Sequence, residues 1–255
     1  MKKRISILGC GWLGKALAIE LIQNGYDVKG STTSNSKLNE LQSNRIESFI
    51  IDISHSDIDL SSFLIADILI ITIPSKNIDD FENLIFEIEK SQISKVLFIS
   101  STSVYPNTNG IVTEETPLKS SPLSEIEDLF RTNMHLDTTI IRFGGLFGYD
   151  RKPSNFIKAH KKIENPEGYI NFIHRDDCVQ IIEKIVANDI WNTTLNACAD
   201  SHPKRRDFYT KELKKIGVLS PSFSEESLNA YKIVSNEKLK ALLEYTFKYA
   251  DLMSY

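Results

Sequence analysis

With 255 residues, 41% of them hydrophobic and 25% charged, the chain has an ordinary globular composition, which excludes disordered, collagen-like and low-complexity classes. At this length about three quarters of the unfolded surface can be buried, so one large domain, or one with a modest lobe, needs no disulfide. Thirty basic against 34 acidic side chains leave a net charge of -4, which offers no field to hold a polyanion, so nucleic acid is not an expected partner.

The first 150 residues carry 13 basic and 20 acidic side chains and the rest carry 17 and 14, so the weakly basic C-terminal part would suit an anionic small molecule. Cys10, Cys178 and Cys198 are too few and scattered for a disulfide framework or a zinc site, which fits a reducing compartment and no metal. The longest largely apolar run, Phe63 to Pro74, falls short of the ~20 residues that span a bilayer. The basic N-terminus resembles the start of a signal peptide, but Gly9, Gly11 and Gly14 interrupt the stretch after it, so a cytoplasmic protein with no membrane partner is expected.

Short apolar runs alternate with amphipathic stretches through the first 145 residues, the pattern of repeated strand-helix units and a parallel sheet. Arg4 to Leu8 reads as a buried strand and Trp12 to Asn24 as a helix. A strand from Tyr26 to about Ser31, a helix near Ser36 to Gln42 and a strand from Glu47 to Ile53 come next. Ala66 to Ile73 and Lys95 to Ser100 are strands buried on both faces, with a helix over Phe81 to Ser91 between them, and Thr138 to Arg142 is a sixth strand. Beyond Gly144 the pattern changes. Ser154 to Ile163 reads as a short basic helix, Asn165 to Gly168 as a turn, and Asp176 to Val186 as a helix capped by Asp176 or Asp177. Thr193 to Cys198 is a last strand, then Pro203 to Ile216 and Ser235 to Leu243 are helices.

Gly9-Cys10-Gly11-Trp12-Leu13-Gly14 comes after an apolar strand and opens a helix. The first glycine permits the tight turn, the second lets a pyrophosphate approach the backbone, and the third lets helix and strand pack closely. The helix N-terminus then faces the phosphates, so the context points to dinucleotide binding. An NAD-preferring fold places an acid at the end of the second strand. Here that strand ends in Gly30-Ser31-Thr32-Thr33-Ser34, whose hydroxyls, with Lys29 or Lys37, could hold a 2'-phosphate, so NADP is slightly favoured over NAD. Asp52 is either an adenine-binding side chain or a strand-end turn residue. Ile73 and Pro74 close the fourth strand at the edge expected to face the cofactor, as does Ser100 at the end of the next.

Ile99-Ser100-Ser101-Thr102-Ser103-Val104-Tyr105 resembles the strand-five motif of extended short-chain dehydrogenases/reductases, the NAD(P)-dependent epimerase/dehydratase group. Glu115-Thr116-Pro117, Ile141-Arg142-Phe143-Gly144-Gly145-Leu146-Phe147-Gly148 and Asn171-Phe172-Ile173-His174-Arg175-Asp176-Asp177 match in order, and Asn196 and Lys232 to Asn236 look like later elements of an atypical branch. The resemblance implies that Ser101, or Thr102 if the register is one residue off, donates a hydrogen bond to a substrate carbonyl. It also implies that Gly144 and Gly145 let the nicotinamide approach the backbone. The family's acid/base is a Tyr-x-x-x-Lys pair, and none of the nine tyrosines here has Lys four residues later. A phenol near its free pKa of ~10 is a poor acid or base at neutral pH.

Tyr105, Tyr149 and His174 are candidates to replace it, against packing or chain-orienting roles. Glu114, Glu115, Glu125 and Glu127 are expected in a solvated loop and the first turn of a helix. Lys204-Arg205-Arg206 reads as a surface cluster or an anion receiver, and Cys10 as packing under the glycine loop.

The sequence therefore predicts a doubly wound parallel-sheet Rossmann fold. Residues 1–145 form the NAD(P)-binding domain, and 146–255 complete the sheet and build a small C-terminal substrate lobe. The expected function is an epimerase/dehydratase-like oxidoreductase acting on a small polar substrate. The alternative is a non-catalytic NAD(P)-binding or redox-sensing protein that answers to a small effector. No exposed apolar stripe demands an oligomer.

Overall fold

The structure is a computed structural model and describes residues 2–55, 58–157 and 162–255. In chain order its elements are β1 (Arg4–Leu8), α1 (Trp12–Gln23), β2 (Asp27–Thr32), α2 (Leu38–Ser43), β3 (Glu47–Ile50), β4 (Ile68–Ile71), α3 (Ile78–Glu89), β5 (Lys95–Ser101), β6 (Ile111–Val112), α4 (Pro122–Arg131), β7 (Asp137–Phe143), β8 (Gly145–Phe147), β9 (Phe172–His174), α5 (Arg175–Ala187), β10 (Thr193–Ala197), α6 (Arg205–Lys214), β11 (Ile233–Val234) and α7 (Glu237–Leu243).

Seven strands form one sheet in the order β10-β7-β5-β4-β1-β2-β3. From β3 to β5 the neighbours pair in parallel, with Ile7 between Gly30 and Ile70. All four residues of β4 are buried, as a parallel sheet covered on both faces requires. Strand order runs one way from β1 and the other way from β4, which puts the topological switch point between them. In such sheets ligands sit outside the carboxyl ends of those strands. This is the doubly wound α/β arrangement of a Rossmann fold.

The chain divides into two compact units: Met1–Ser100, Ser120–Ile141 and Val179–Thr194 make the first, and Ser101–Lys119, Arg142–Cys178 and Leu195–Tyr255 the second. These units interleave along the chain, whereas the sequence reading divides it once, at residue 145. In the first unit Phe81 of α3, Phe98 of β5 and Phe130 of α4 form an aromatic core, with ring centroids 5.1 to 6.1 Å apart. The start of α4 is fixed by Ser121 and Ser124, which exchange side-chain to backbone hydrogen bonds across a capping box, with Pro122 in the first turn. The second unit has its own core, including Phe147, Ile170, Phe208, Leu213 and Leu252, and two small parallel pairs, β6 with β11 and β8 with β9.

Two expectations shift. Of the helix expected over Ser154 to Ile163, Pro153–Phe156 forms a single 3-10 turn, and residues 158–161 lie outside the described residues. Asp176 and Asp177 do not cap α5 but lie in its first turn. The cap acceptor is the Nδ1 atom of His174, which takes the Asp176 N–H at 3.2 Å. Asp177 is buried, and its carboxylate accepts hydrogen bonds from the Tyr245 hydroxyl (2.8 Å) and from the Lys248 and Tyr249 N–H groups (2.8 and 3.1 Å). It ties the chain after α7 to the start of α5.

Candidate functional site: the glycine loop and the second-unit clusters

The turn after β1 is built from the backbone upward. Gly9 has φ +99°, a conformation L side chains rarely adopt. Its N–H donates to Ser31 Oγ at 2.9 Å, the Cys10 N–H donates to the Ser31 carbonyl at 2.6 Å, and Thr72 Oγ1 donates to the Gly9 carbonyl at 2.6 Å. Ser31 at the end of β2 and Thr72 after β4 therefore clamp the loop from both sides. A Cβ on Gly14 would lie 2.8 Å from Thr72 Oγ1 and closer still to the Gly9 carbonyl oxygen, so only glycine lets α1 approach β1 this closely.

Gly11 differs, because a Cβ there would meet nothing within 4 Å. Open space thus lies beside an exposed glycine at the start of the twelve-residue helix α1. The first N–H groups of a helix have no helical acceptor and carry its positive dipole end. A clamped loop, an unobstructed glycine and a helix N-terminus fit the pyrophosphate of a dinucleotide.

The other expected cofactor residues are placed unevenly. Ile73 lies against the loop, with its Cγ2 2.6 Å from where a Gly9 Cβ would stand, and Pro74 is exposed beside it. Leu13 is buried in the core, which leaves its backbone to serve a ligand, while Trp12 is half-buried. Thr32 Oγ1 accepts the Ser34 N–H at 3.2 Å. The Asp52 carboxylate accepts from the Ser54 N–H and hydroxyl at 3.1 and 2.7 Å, and these bonds hold it below the usual carboxylate range. Lys29 is turned away from any 2'-phosphate, because its ammonium donates to the Ser62 carbonyl. It lines a cleft with Lys2, Arg4 and Arg45, which belong to the amino ends of β1 to β3, opposite the loop. Burial pushes the Cys10 thiol up to about 12, so it packs and is not a thiolate.

Ser100 is buried and its hydroxyl donates to the Glu127 carboxylate on α4. Sequence reasoning expects Glu127 in a solvated first turn, but it lies on the inner face of α4 with Ile126 and Phe130 and is fully buried. The reason for the difference is physical: a buried carboxylate needs hydrogen-bond donors, and Ser100 at the end of β5 supplies one.

In the second unit, Ser101 Oγ accepts the Ser103 N–H at 3.1 Å and caps the 3-10 turn Thr102–Val104. Its own proton stays available for donation. Tyr105 is buried; its hydroxyl donates to Asn196 Oδ1 at 2.9 Å and accepts from Arg142 at 2.6 Å. Burial raises its pKa, so it serves packing. Glu114, expected to be solvated, is half-buried and accepts the Asn196 N–H at 2.7 Å. His174 is buried against Phe147, Tyr149, Tyr249 and Tyr255. Burial lowers its pKa, so the neutral ring caps α5. Tyr149 is exposed and donates to Asp176 at 2.7 Å, which raises its pKa.

Gly144 and Gly145 are small for a local reason. A Cβ on Gly144 would lie 2.5 Å from the Asn171 carbonyl oxygen, and one on Gly145 would enter the Phe172 ring. These contacts account for both glycines without a nicotinamide. Lys204 and Arg206 pair with Glu167, and Arg206 also with Glu225, while Arg205 donates to the Glu164 carbonyl, so two of the three cations in that run are matched by acids.

Sequence reasoning assigns no structural role to Thr72, Glu127 or Asn171, although Thr72 interrupts an apolar strand run, Glu127 is among the candidate acids and Asn171 opens a matched motif. Among the described residues, no His, Cys, Asp and Glu group is placed to hold a metal, and no helix is long and apolar enough to cross a membrane.

Residues 4–103 match the family described as NADP oxidoreductase, coenzyme F420-dependent. The fold is shared with a protein of Methylobacillus flagellatus assigned as an NAD-dependent epimerase/dehydratase (TM-score 0.79, 22% identity, 100% of this chain and 96% of that one). It is shared also with UDP-glucuronic acid 4-epimerase of Bacillus cereus, solved with UDP-glucuronic acid and NAD (TM-score 0.78, 20% identity, 98% and 96%). The Protein YeeZ of Escherichia coli strain K12 is 30% identical over 269 residues, covering 98% of this chain and 97% of that protein. At that identity and coverage, the chain belongs to the same family as Protein YeeZ.

Proposed function

We propose that the chain is an NAD(P)-dependent oxidoreductase of the epimerase/dehydratase type, acting in the cytoplasm on a small polar substrate of the sugar or nucleotide-sugar class. The observation that carries this reading is the glycine loop: clamped by Ser31 and Thr72, closed at Gly14 and open at Gly11. Two neighbours support it, since the epimerase of shared fold is solved with NAD and a nucleotide sugar, and the family matching residues 4–103 is named for NADP. When bound, the nicotinamide supplies or accepts a hydride. The backbone from Gly9 to Gly14 holds the pyrophosphate, Ile73 and Pro74 border it, and the hydroxyls of Thr33, Ser34 and Ser36 with Lys37 favour NADP. Ser101 donates its free proton to the substrate carbonyl. Neither nucleic acid nor a membrane is a partner.

A second reading, a dinucleotide-binding sensor without turnover, is favoured by the tyrosines. No Tyr precedes a Lys by four residues, Tyr105 is buried, and His174 is a neutral helix cap. The near-ultraviolet absorbance of NADPH and NADH separates the two. A substrate-dependent absorbance change, or conversion of the substrate to an isomer or dehydrated product read by chromatography where the hydride returns to it, with a member of a panel of nucleotide sugars, sugars and small carbonyls supports the enzyme, and saturable binding with neither across that panel supports the sensor.

A further inference from the structure

We propose that the cleft at the amino ends of β1, β2 and β3 binds a small metabolite that carries a phosphate or carboxylate group beside an apolar or aromatic body. The cleft belongs to the first unit, at the end of the strands opposite the glycine loop, and the inference does not rest on the dinucleotide reading.

Three strands bring basic residues together there. Arg4 opens β1, Lys29 lies near the start of β2, and Arg45 stands in the turn between α2 and β3. With Lys2 they line a cleft of about 500 Å³, a volume that suits a small metabolite. Asp27 and Glu47 line it too, so its charges are four positive against two negative. Lys2 reaches Asp27 only at 4.0 Å, and the Lys29 ammonium is held by the Ser62 carbonyl. Arg4 is anchored through its backbone, whose N–H donates to Asp67 at 2.7 Å. Among the described residues, the guanidiniums of Arg4 and Arg45 have no acid within 4 Å. Farther along the same edge Lys3 and Lys95 share Asp189, at 3.5 and 2.6 Å. The two arginines therefore depart from the pairing that neutralises their neighbours.

Arg45 is also held where an arginine is costly. Its φ of +63° lies in the left-handed region. The turn is fixed by the Arg45 N–H donating to the Gln42 carbonyl at 2.9 Å and the Ile46 N–H donating to the Leu41 carbonyl at 3.1 Å. Glycine or asparagine is the usual residue at such a helix end, so the backbone does not account for an arginine, and its cation at the cleft does. A guanidinium presents a fork of N–H donors that matches two oxygens of a phosphate or carboxylate. Ile22 and Tyr26, both half-buried, supply the apolar and aromatic wall for the body of the ligand.

The test is calorimetric titration of the full chain with phenyl phosphate and benzoate, and with their ring-free counterparts inorganic phosphate and acetate, at matched ionic strength. The wild type is compared with Arg45→Gly, Arg4→Gln and Gly11→Ala. Glycine adopts a positive φ freely, so Arg45→Gly removes the guanidinium without straining the turn, and its melting temperature should not fall. Saturable binding of phenyl phosphate or benzoate at one site per chain is expected, tighter than that of the ring-free anion. It should weaken about tenfold in Arg45→Gly and in Arg4→Gln, as loss of one charge-assisted contact implies, and stay unchanged in Gly11→Ala. Binding of phenyl phosphate alone would identify a phosphate site and of benzoate alone a carboxylate site, and either supports the proposal. No saturable binding of either, equal affinity for the ring-free anions, the same affinity in the wild type and Arg45→Gly, or loss in Gly11→Ala, which would put the anion in the glycine loop, would overturn it.

Discussion

Gly11 and Gly14 stand three residues apart in one loop, and a single methyl separates their roles. At Gly14 it would collide with the Gly9 carbonyl and Thr72, while at Gly11 it would enter open space. Gly14→Ala is expected to destabilise the fold by about 1 to 3 kcal/mol through overpacking, measured by urea unfolding. His174 gives a pH signature. Burial lowers its folded-state pKa below the ordinary 6.5, so the unfolded chain takes up its proton first. Its contribution to stability is complete above about 6.5 and is lost as pH falls through the folded value. His174→Asn, which keeps a cap acceptor, should flatten stability between pH 7 and 5, and an unchanged slope would count against the assignment. The loop glycines are legible in sequence because backbone geometry admits little else there. Glu127 is not, because its burial depends on Ser100, 27 positions away, and local charge patterning places acids in first turns on the solvent side.

At the scale of elements, the seven strands of the main sheet are legible from their apolar runs and every helix but α4 from periodicity, whereas the ten-residue α4 is read only as a first turn bearing Glu125 and Glu127. The pairs β6 with β11 and β8 with β9 consist of two or three residues each and carry no period to read. They are set by Asn171 and by the close approach at Gly144 and Gly145. The packing of α4 on α3 and β5 through three phenylalanines is legible only as an apolar stripe. Phe130→Ala should cost about 3 to 5 kcal/mol, detectable as a lower midpoint in urea, and it should leave the second-unit core, around Phe208 and Leu252, intact by tryptophan-independent probes such as local hydrogen exchange.

For the whole molecule, composition bounds only the class, and the charge asymmetry becomes informative once ion pairs are assigned. In the second unit Lys204, Arg206, Lys211, Lys215, Lys240 and Lys248 each pair with an acid. All three cysteines are buried, with burial raising each thiol. A thiol-directed disulfide reagent should therefore react with none of them in the folded protein and with all three after denaturation. Fast native reaction at Cys10 would revive a redox role for that residue.

The glycine loop as a dinucleotide site is the central claim, and calorimetric titration of the wild type and Gly11→Ala with NADPH and NADH tests it most directly. Saturable binding at one site per chain, tighter for NADPH, weakened about tenfold or more in Gly11→Ala at an unchanged melting temperature, is the expected result, corresponding to a loss of at least ~1.4 kcal/mol. Absence of binding by either nucleotide, or the same affinity in wild type and Gly11→Ala, would contradict it.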